Sequence, residues 1–393
     1  MHTRQARRRP KRFKRRLFSF VIYLALIGLV FNYLRPLPHA AASITPLDNA
    51  PQKTALAWPS YGSAAIGAAG FGVLETHGPQ QPRAMASLAK VITALAVLEK
   101  HPLAAGQAGP TLEMSQKDVD LFSHYYKIGG SYVLVENGEK ISQYQALQAV
   151  LLPSANNMAD SLALWAFGSM SAYHEYASAM LKRLNLTQTT IGDDASGMSA
   201  KNTSTPSDLI ALGTAALKNE VIHEIIRQPN ATIPVHGIIY SANARLAGPS
   251  NVFGIKTGLT DEAGACYLFA AEHTVESKKV TIIGVISGMN TIREPIKASE
   301  PLVESSKKYF TLRTPVKAGE IFAELTTPWL TTAKVVAKQD ISLVSWKGST
   351  LQPRVELANI NRSLPAGAQV GTAIVQSGDN KATAPLVLQD PIN

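Results

Sequence analysis

Apolar residues follow several distinct rhythms along the chain. Leu17 to Leu34 is a run of eighteen residues without a charge. As a helix it would rise about 27 Å, close to the thickness of a bilayer core. Residues 35–59 lose periodicity and are rich in Ala, Pro and Ser, which predicts a stalk. Two short apolar stretches, 63–66 and 71–74, flank Gly67-Ala68-Ala69-Gly70 and predict a strand pair joined by a glycine turn. The string GAAGFG has the wrong spacing for a phosphate loop, and no Lys-Ser or Lys-Thr follows it. Helical periodicity begins at Ala86, where Leu88, Val91, Ile92, Leu95, Val97 and Leu98 form an apolar face that lasts to Lys100. Further helices are predicted over 144–152, 157–167 (ending at Gly168), 171–184, 205–219 and 295–310. Residues 265–272 and 279–288 alternate or run apolar, like adjacent antiparallel strands. From about Leu312, short Val, Ile, Leu and Thr stretches are punctuated by Gly and Pro, as in a small all-β domain. The chain therefore divides into a basic segment (1–16), an apolar segment (17–34), a stalk (35–59), a main α/β (α+β) domain (60–312) and a β-rich domain (313–393).

Charge changes the picture at one end only. The formal net charge is +10, yet nine cations lie within the first sixteen residues: Arg4, Arg7, Arg8, Arg9, Lys11, Arg12, Lys14, Arg15 and Arg16. About +1 is left for everything after Arg16, so no nucleic-acid partner is expected. A basic block before an apolar run is the positive-inside pattern. It predicts a membrane-attached protein with a cytoplasmic N-terminus and an extracytoplasmic body. Ala40-Ala41-Ala42 offers a signal-cleavage site as the alternative, but the length of the run and Arg35 directly after it favour a retained single-pass anchor. The lone Cys266 excludes an intrachain disulfide, and its apolar neighbours predict a buried structural thiol. His174-Glu175 and His223-Glu224 lack a second histidine at metal-binding spacing, so neither a metal nor a cofactor is expected.

Three short motifs carry the candidate chemistry: Ser87-Leu88-Ala89-Lys90, Ser154-Ala155-Asn156 and Lys256-Thr257-Gly258. Each is weak alone. On a helix, Lys90 lies one turn after Ser87 on the same face. A serine hydroxyl needs a base to become a nucleophile. A lysine serves as that base when burial or a second cation lowers its pKa, and Lys256 is available as the second cation. Ser154 and Asn156 lie between two helices, where a hydroxyl can relay a proton and an amide can hold a carbonyl or orient Lys90. Lys256-Thr257-Gly258 leads into a strand whose edge can pair with an extended peptide.

The stretch Met85 to Leu95 resembles the nucleophile motif of the low-molecular-mass penicillin-binding proteins, the D-Ala-D-Ala carboxypeptidases. Leu151-Leu152-Pro153-Ser154-Ala155-Asn156-Asn157 is similar to their second motif, and Gly254 to Gly264 to their third. Gly168-Ser169, Gly197 and Ser204 to Leu209 match further landmarks. The resemblance runs from about residue 60 to the C-terminus. It implies a penicillin-binding/β-lactamase-like transpeptidase fold, with an antiparallel sheet flanked by helices and a small C-terminal all-β domain.

The resemblance also implies roles. Ser87 would attack the penultimate D-alanine carbonyl of a peptidoglycan stem peptide, with Lys90 as base and Ser154 as proton relay. Asn156 would hold the substrate, Lys256 and Thr257 would meet its terminal carboxylate, and Gly258 would allow close approach. The N–H groups of Ser87 and Leu259 would form the oxyanion hole, and Arg293 would be a further carboxylate contact. β-Lactams would be covalent inhibitors.

Several features depart from the family pattern. Gly-Ala-Ala-Gly replaces the usual acidic-Thr-Gly turn, Asn157-Met158 replaces Asp-Ala, and the amphipathic C-terminal helix is missing. A D,D-endopeptidase would use the same residues. A β-lactamase would need a deacylating carboxylate, and no glutamate lies between Glu175 and Glu220. A catalytically silent peptidoglycan-binding protein is the non-enzymatic alternative.

Overall fold

A computed structural model of the chain describes residues 11–34, 40–47, 50–247, 251–327, 329–360 and 362–392. At its centre is an antiparallel sheet of five strands: β1 (Ser63–Ala68), β2 (Gly72–His77), β3 (Val252–Thr260), β4 (Gly264–Val275) and β5 (Lys278–Met289), in the order β3-β4-β5-β1-β2. The strand pair with its glycine turn is β1–β2, and β3 lies at an edge.

The apolar run in β4 is explained by cover on both faces, since side chains alternate sides along a strand. Cys266, Leu268 and Ala270 join Ile283 and Val285 in one core against helices. Tyr267, Phe269 and Ala271 join Ile282 and Ile286 in a second. Each large apolar side chain buried this way contributes about 1.5–3 kcal/mol. Gly284 on β5 is part of that fit, because a Cβ there would lie 2.2 Å from the Phe269 ring.

The first core is covered by helices α1 (Ala89–Lys100), α2 (Gln116–Lys127), α3 (Asn156–Phe167) and α4 (Pro206–Lys218), with Gln143–Leu151 and Met170–Arg183 beside them. Their ends follow local chemistry. α3 stops at Gly168, whose φ of 79° suits a left-handed C-cap. α4 starts with Thr205 accepting the Asp208 N–H and Pro206 in the first turn. On the opposite face, α5 (Arg293–Lys307) places Leu302 and Val303 in the second core.

The C-terminal β-rich region has its own core, including Phe322, Leu325, Val335, Val370 and Leu386. Its six-stranded sheet contains an N-terminal contribution. Ala41–Ile44, within the stretch expected to be a stalk, pairs with Ile321–Thr326, Ala41 opposite Thr326 and Ile44 opposite Ala323. Ala42 and Ile44 pack on that core, which is why these residues are ordered as a strand. The composition change near residue 312 falls inside a strand, Phe310–Val316, that pairs with Ile341–Trp346.

The membrane expectation is corrected. Residues 11–34 form one helix, but among the described residues no helix is long and apolar enough to cross a membrane. That overturns the single-pass anchor over 17–34, the membrane partner and the localisation derived from it. Arg4 to Arg9 and Arg35 lie outside the described residues.

Candidate active site

Ser87 lies in a single 3₁₀ turn, Ala86–Leu88, that feeds directly into α1. The turn is tight: Ala86 has a φ of 48°, a left-handed conformation that costs a residue with a Cβ. Gly197 packs against it so closely that a Cβ there would lie 2.0 Å from the Ala86 carbonyl oxygen. Lys90, one turn on, is completely buried. Its Nζ donates to Ser87 Oγ at 2.9 Å, to Asn156 Oδ1 at 2.6 Å and to the Ser196 carbonyl at 2.7 Å.

Ser154 and Asn156 enter from the start of α3. Ser154 also has a left-handed backbone, φ 67°. Its buried hydroxyl has no hydrogen-bond partner among the described residues. Leaving such a group unsatisfied costs about 1–3 kcal/mol, which is consistent with a hydroxyl kept free for a transient partner. Asn156 donates its backbone N–H to Ser131 O at 2.8 Å while its side chain accepts from Lys90. Asn157 accepts the Val133 N–H and donates to the Val133 carbonyl. A carboxylate could not make the second bond, so the amide holds both backbone groups of Val133.

The third motif arrives on the edge strand β3. Lys256 is fully buried and Thr257 nearly so. Lys256 Nζ donates to Thr257 O at 2.9 Å. A Cβ on Gly258 would lie 2.8 Å from the Ser87 nitrogen. That closeness brings the first and third motifs together. Leu259 follows on the strand with its side chain exposed. Arg293 is exposed on the first turn of α5, and among the described residues it makes no hydrogen bond or ion pair.

With the three motifs converged, the comparison with known proteins is decisive. The family model of D-alanyl-D-alanine carboxypeptidases, peptidase family S11, matches residues 63–291. The chain belongs to this family of serine peptidases. The carboxypeptidase DacC of Escherichia coli (strain K12) is 27% identical over 299 residues, 67% of this chain and 67% of its own length. A D-alanyl-D-alanine endopeptidase of the same organism is 26% identical over 224 residues, 54% of this chain and 66% of that one. The structure of the carboxypeptidase DacD from Francisella tularensis shares the fold, with a TM-score of 0.63 over 88% of this chain and 97% of that one at 17% identity.

Electrostatics in the carboxypeptidase site follow from burial. Desolvation lowers the Lys90 pKa to about 7, against the opposing pull of Asp194 and Asp160. Lys256 is lowered well below the usual lysine value, first by burial and then by the Lys90 charge. Burial raises Asp160 to about 6, while hydrogen bonds from Tyr125 and the Ala195 N–H pull it back. Asp160, Asp194, Tyr125 and Ser196 were not among the residues expected from sequence. The one available signal was spacing, since Asp160 is four residues after Asn156 and shares its face of α3.

Proposed function

We propose that this carboxypeptidase works by serine acyl transfer on peptidoglycan stem peptides, with Ser87 as nucleophile and Lys90 as its base. The observation that carries this is the Lys90 amine, buried, lowered to a pKa of about 7 and 2.9 Å from Ser87 Oγ. When Nζ is neutral, the same contact runs in reverse and the Ser87 hydroxyl donates to the amine. Ser87 Oγ bonds to the penultimate D-alanine carbonyl carbon as its proton passes to Lys90. The C–N bond then breaks, and the departing D-alanine amine takes a proton delivered through the Ser154 hydroxyl. Water next adds to the ester, freeing the shortened peptide and regenerating Ser87.

The other residues serve the geometry of this step. The edge strand β3 pairs with the extended peptide, Asn156 holds its amide, and Lys256 and Thr257 meet the terminal carboxylate. Gly258 keeps the strand close to the nucleophile. The N–H groups of Ser87 and Leu259 face the developing oxyanion, where each donor is worth about 3–4 kcal/mol. A β-lactam carries a carboxylate beside a strained amide, so it enters the same site and leaves a slowly hydrolysed ester on Ser87.

The test is a fluorescent penicillin incubated with the chain and with Ser87→Ala, alongside release of D-alanine from a stem pentapeptide. Label and release in the first and neither in the second support the reading. Label without Ser87 overturns it. An endopeptidase among the relatives makes a cross-linked dimer the necessary second substrate, and preferential cleavage of the dimer would move the assignment to endopeptidase.

A further inference from the structure

Beneath Lys90 lies a second layer of polar side chains that the chemistry above does not use. Asp194 is a loop organiser. Its Oδ1 accepts the N–H groups of Ser196, Gly197 and Met198, and its Oδ2 accepts that of Ser199. Asp160 is different. It is nearly as buried as Lys90, and among the described residues its carboxylate takes only the Tyr125 hydroxyl at 2.6 Å and the Ala195 N–H at 2.9 Å. Both donors are neutral, one on each carboxylate oxygen, so no partner cation balances the charge through a hydrogen bond. Burying a carboxylate there costs several kcal/mol unless its charge is used.

The use is visible in the neighbours. The groups facing Lys90 are Ser87 from its own turn, Asn156 and Asp160 from α3, Asp194 and Ser196 from the loop, and Lys256 from β3. Tyr125 and Tyr173 complete the surround from α2 and the Met170–Arg183 helix. Two buried lysines thus share one site. Burial and each other's charge both favour the neutral forms. A base lowered too far loses its hold on the serine proton, so the site needs buried negative charge to stop the descent. Asp160 also grips Ala195, the residue before the Ser196 carbonyl that Lys90 touches. Thr93, one turn after Lys90, donates to the Ala195 carbonyl from the other side at 2.6 Å.

We infer that Asp160, held by Tyr125, is a positioning residue for the serine-activating lysine: it fixes the Ala195–Ser196 loop against Lys90, and its charge keeps the Lys90 amine able to take the serine proton. The inference rests on the reading of Lys90 as the base. It is supported by the opposing effects on Lys90, where Asp194 and Asp160 act against burial.

The experiment follows penicillin acylation of the full chain from pH 5 to pH 9 in wild type, Asp160→Asn, Tyr125→Phe and Lys90→Met, with a thermal melt of each. In Asp160→Asn the acidic limb of the rate profile moves down by about half to one pH unit. The plateau rate falls about three- to tenfold as the base weakens. Tyr125→Phe shifts the limb in the same direction by less, because Asp160 then protonates more readily and loses its charge near neutrality. A limb that stays in place while rate or melting temperature drops would assign Asp160 a merely structural role and overturn the inference. If Asp160→Asn does not fold, Tyr125→Phe decides on the same criterion. Lys90→Met separates the two claims: wild-type acylation there removes the base reading itself, whereas a dead Lys90→Met with an unmoved Asp160→Asn limb removes only the role of Asp160.

Discussion

Replacing Lys90 by methionine tests the central electrostatic claim through folding, without any substrate. The lysine passes from an ordinary value of 10.5 in the unfolded chain to about 7 in the folded one. Between those values the unfolded chain binds more protons, so stability rises with pH. At 1.36 kcal/mol per pH unit, about 3 kcal/mol is gained between pH 7 and pH 9.5. This is an upper figure for a site with buried carboxylates. Lys256 has a slope of the same sign, so the total for the wild type is not diagnostic. The difference between wild type and Lys90→Met is, because methionine fills the same channel with no proton to exchange. The absolute sign at pH 7 is set by competing terms: the variant escapes the cost of burying an amine but orphans Asn156 Oδ1 and the Ser196 carbonyl, at about 1–3 kcal/mol each. Urea unfolding at several pH values reads the difference directly. The variant should lose ground to wild type as pH rises, by a few kcal/mol over that range. A difference that stays flat would mean Lys90 keeps its proton to high pH, and the proposed base would have to be sought elsewhere.

Other outcomes follow from the same geometry. Ser154→Ala removes a hydroxyl with no partner among the described residues, so stopped-flow acylation should slow by about two orders of magnitude or more while the unfolding midpoint holds or rises. Gly258→Ala places a methyl 2.8 Å from the Ser87 nitrogen. It should push β3 away from the 3₁₀ turn and cost most of the acylation rate while the secondary structure, followed by circular dichroism, survives. Because Lys256 is lowered well below the usual lysine value, a bound carboxylate raises it and draws in a proton. Calorimetry of a non-reactive D-Ala-D-Ala analogue in two buffers of different ionisation enthalpy should therefore report proton uptake, with affinity weakening as pH rises.

Much of the scaffold is legible in the sequence because its signals are local. Helices α1, α3 and α4 carry apolar faces, Gly168 ends α3 and Thr205 starts α4, and β4 and β5 are apolar because both faces are covered. α2 escapes that logic. It buries only Tyr125 and keeps a polar surface, so periodicity offers little, although Ser115 and Asp118 form a capping box at its start. The strand Ala41–Ile44 escapes for another reason. Four small or apolar residues become a strand only when an edge far along the chain, Ile321–Thr326, accepts them.

The site divides in the same way. Ser87, Lys90, Ser154, Asn156 and Lys256 sit in motifs whose spacing points to the proposed chemistry, since a nucleophile and its base would share a helical face. Arg293 had no such geometry behind it, and it is exposed at the start of α5. What spacing cannot show is the charge balance around a buried amine. Asp160 and Asp194 are thirty-four residues apart in sequence and meet only because α3 and the loop after Gly192 converge beneath Lys90. In the proposed mechanism, Lys90 becomes a base through the sum of burial, a neighbouring cation and two carboxylates. That sum belongs to the folded site, so a search for the motif finds the proposed nucleophile and base and misses the charges that surround them.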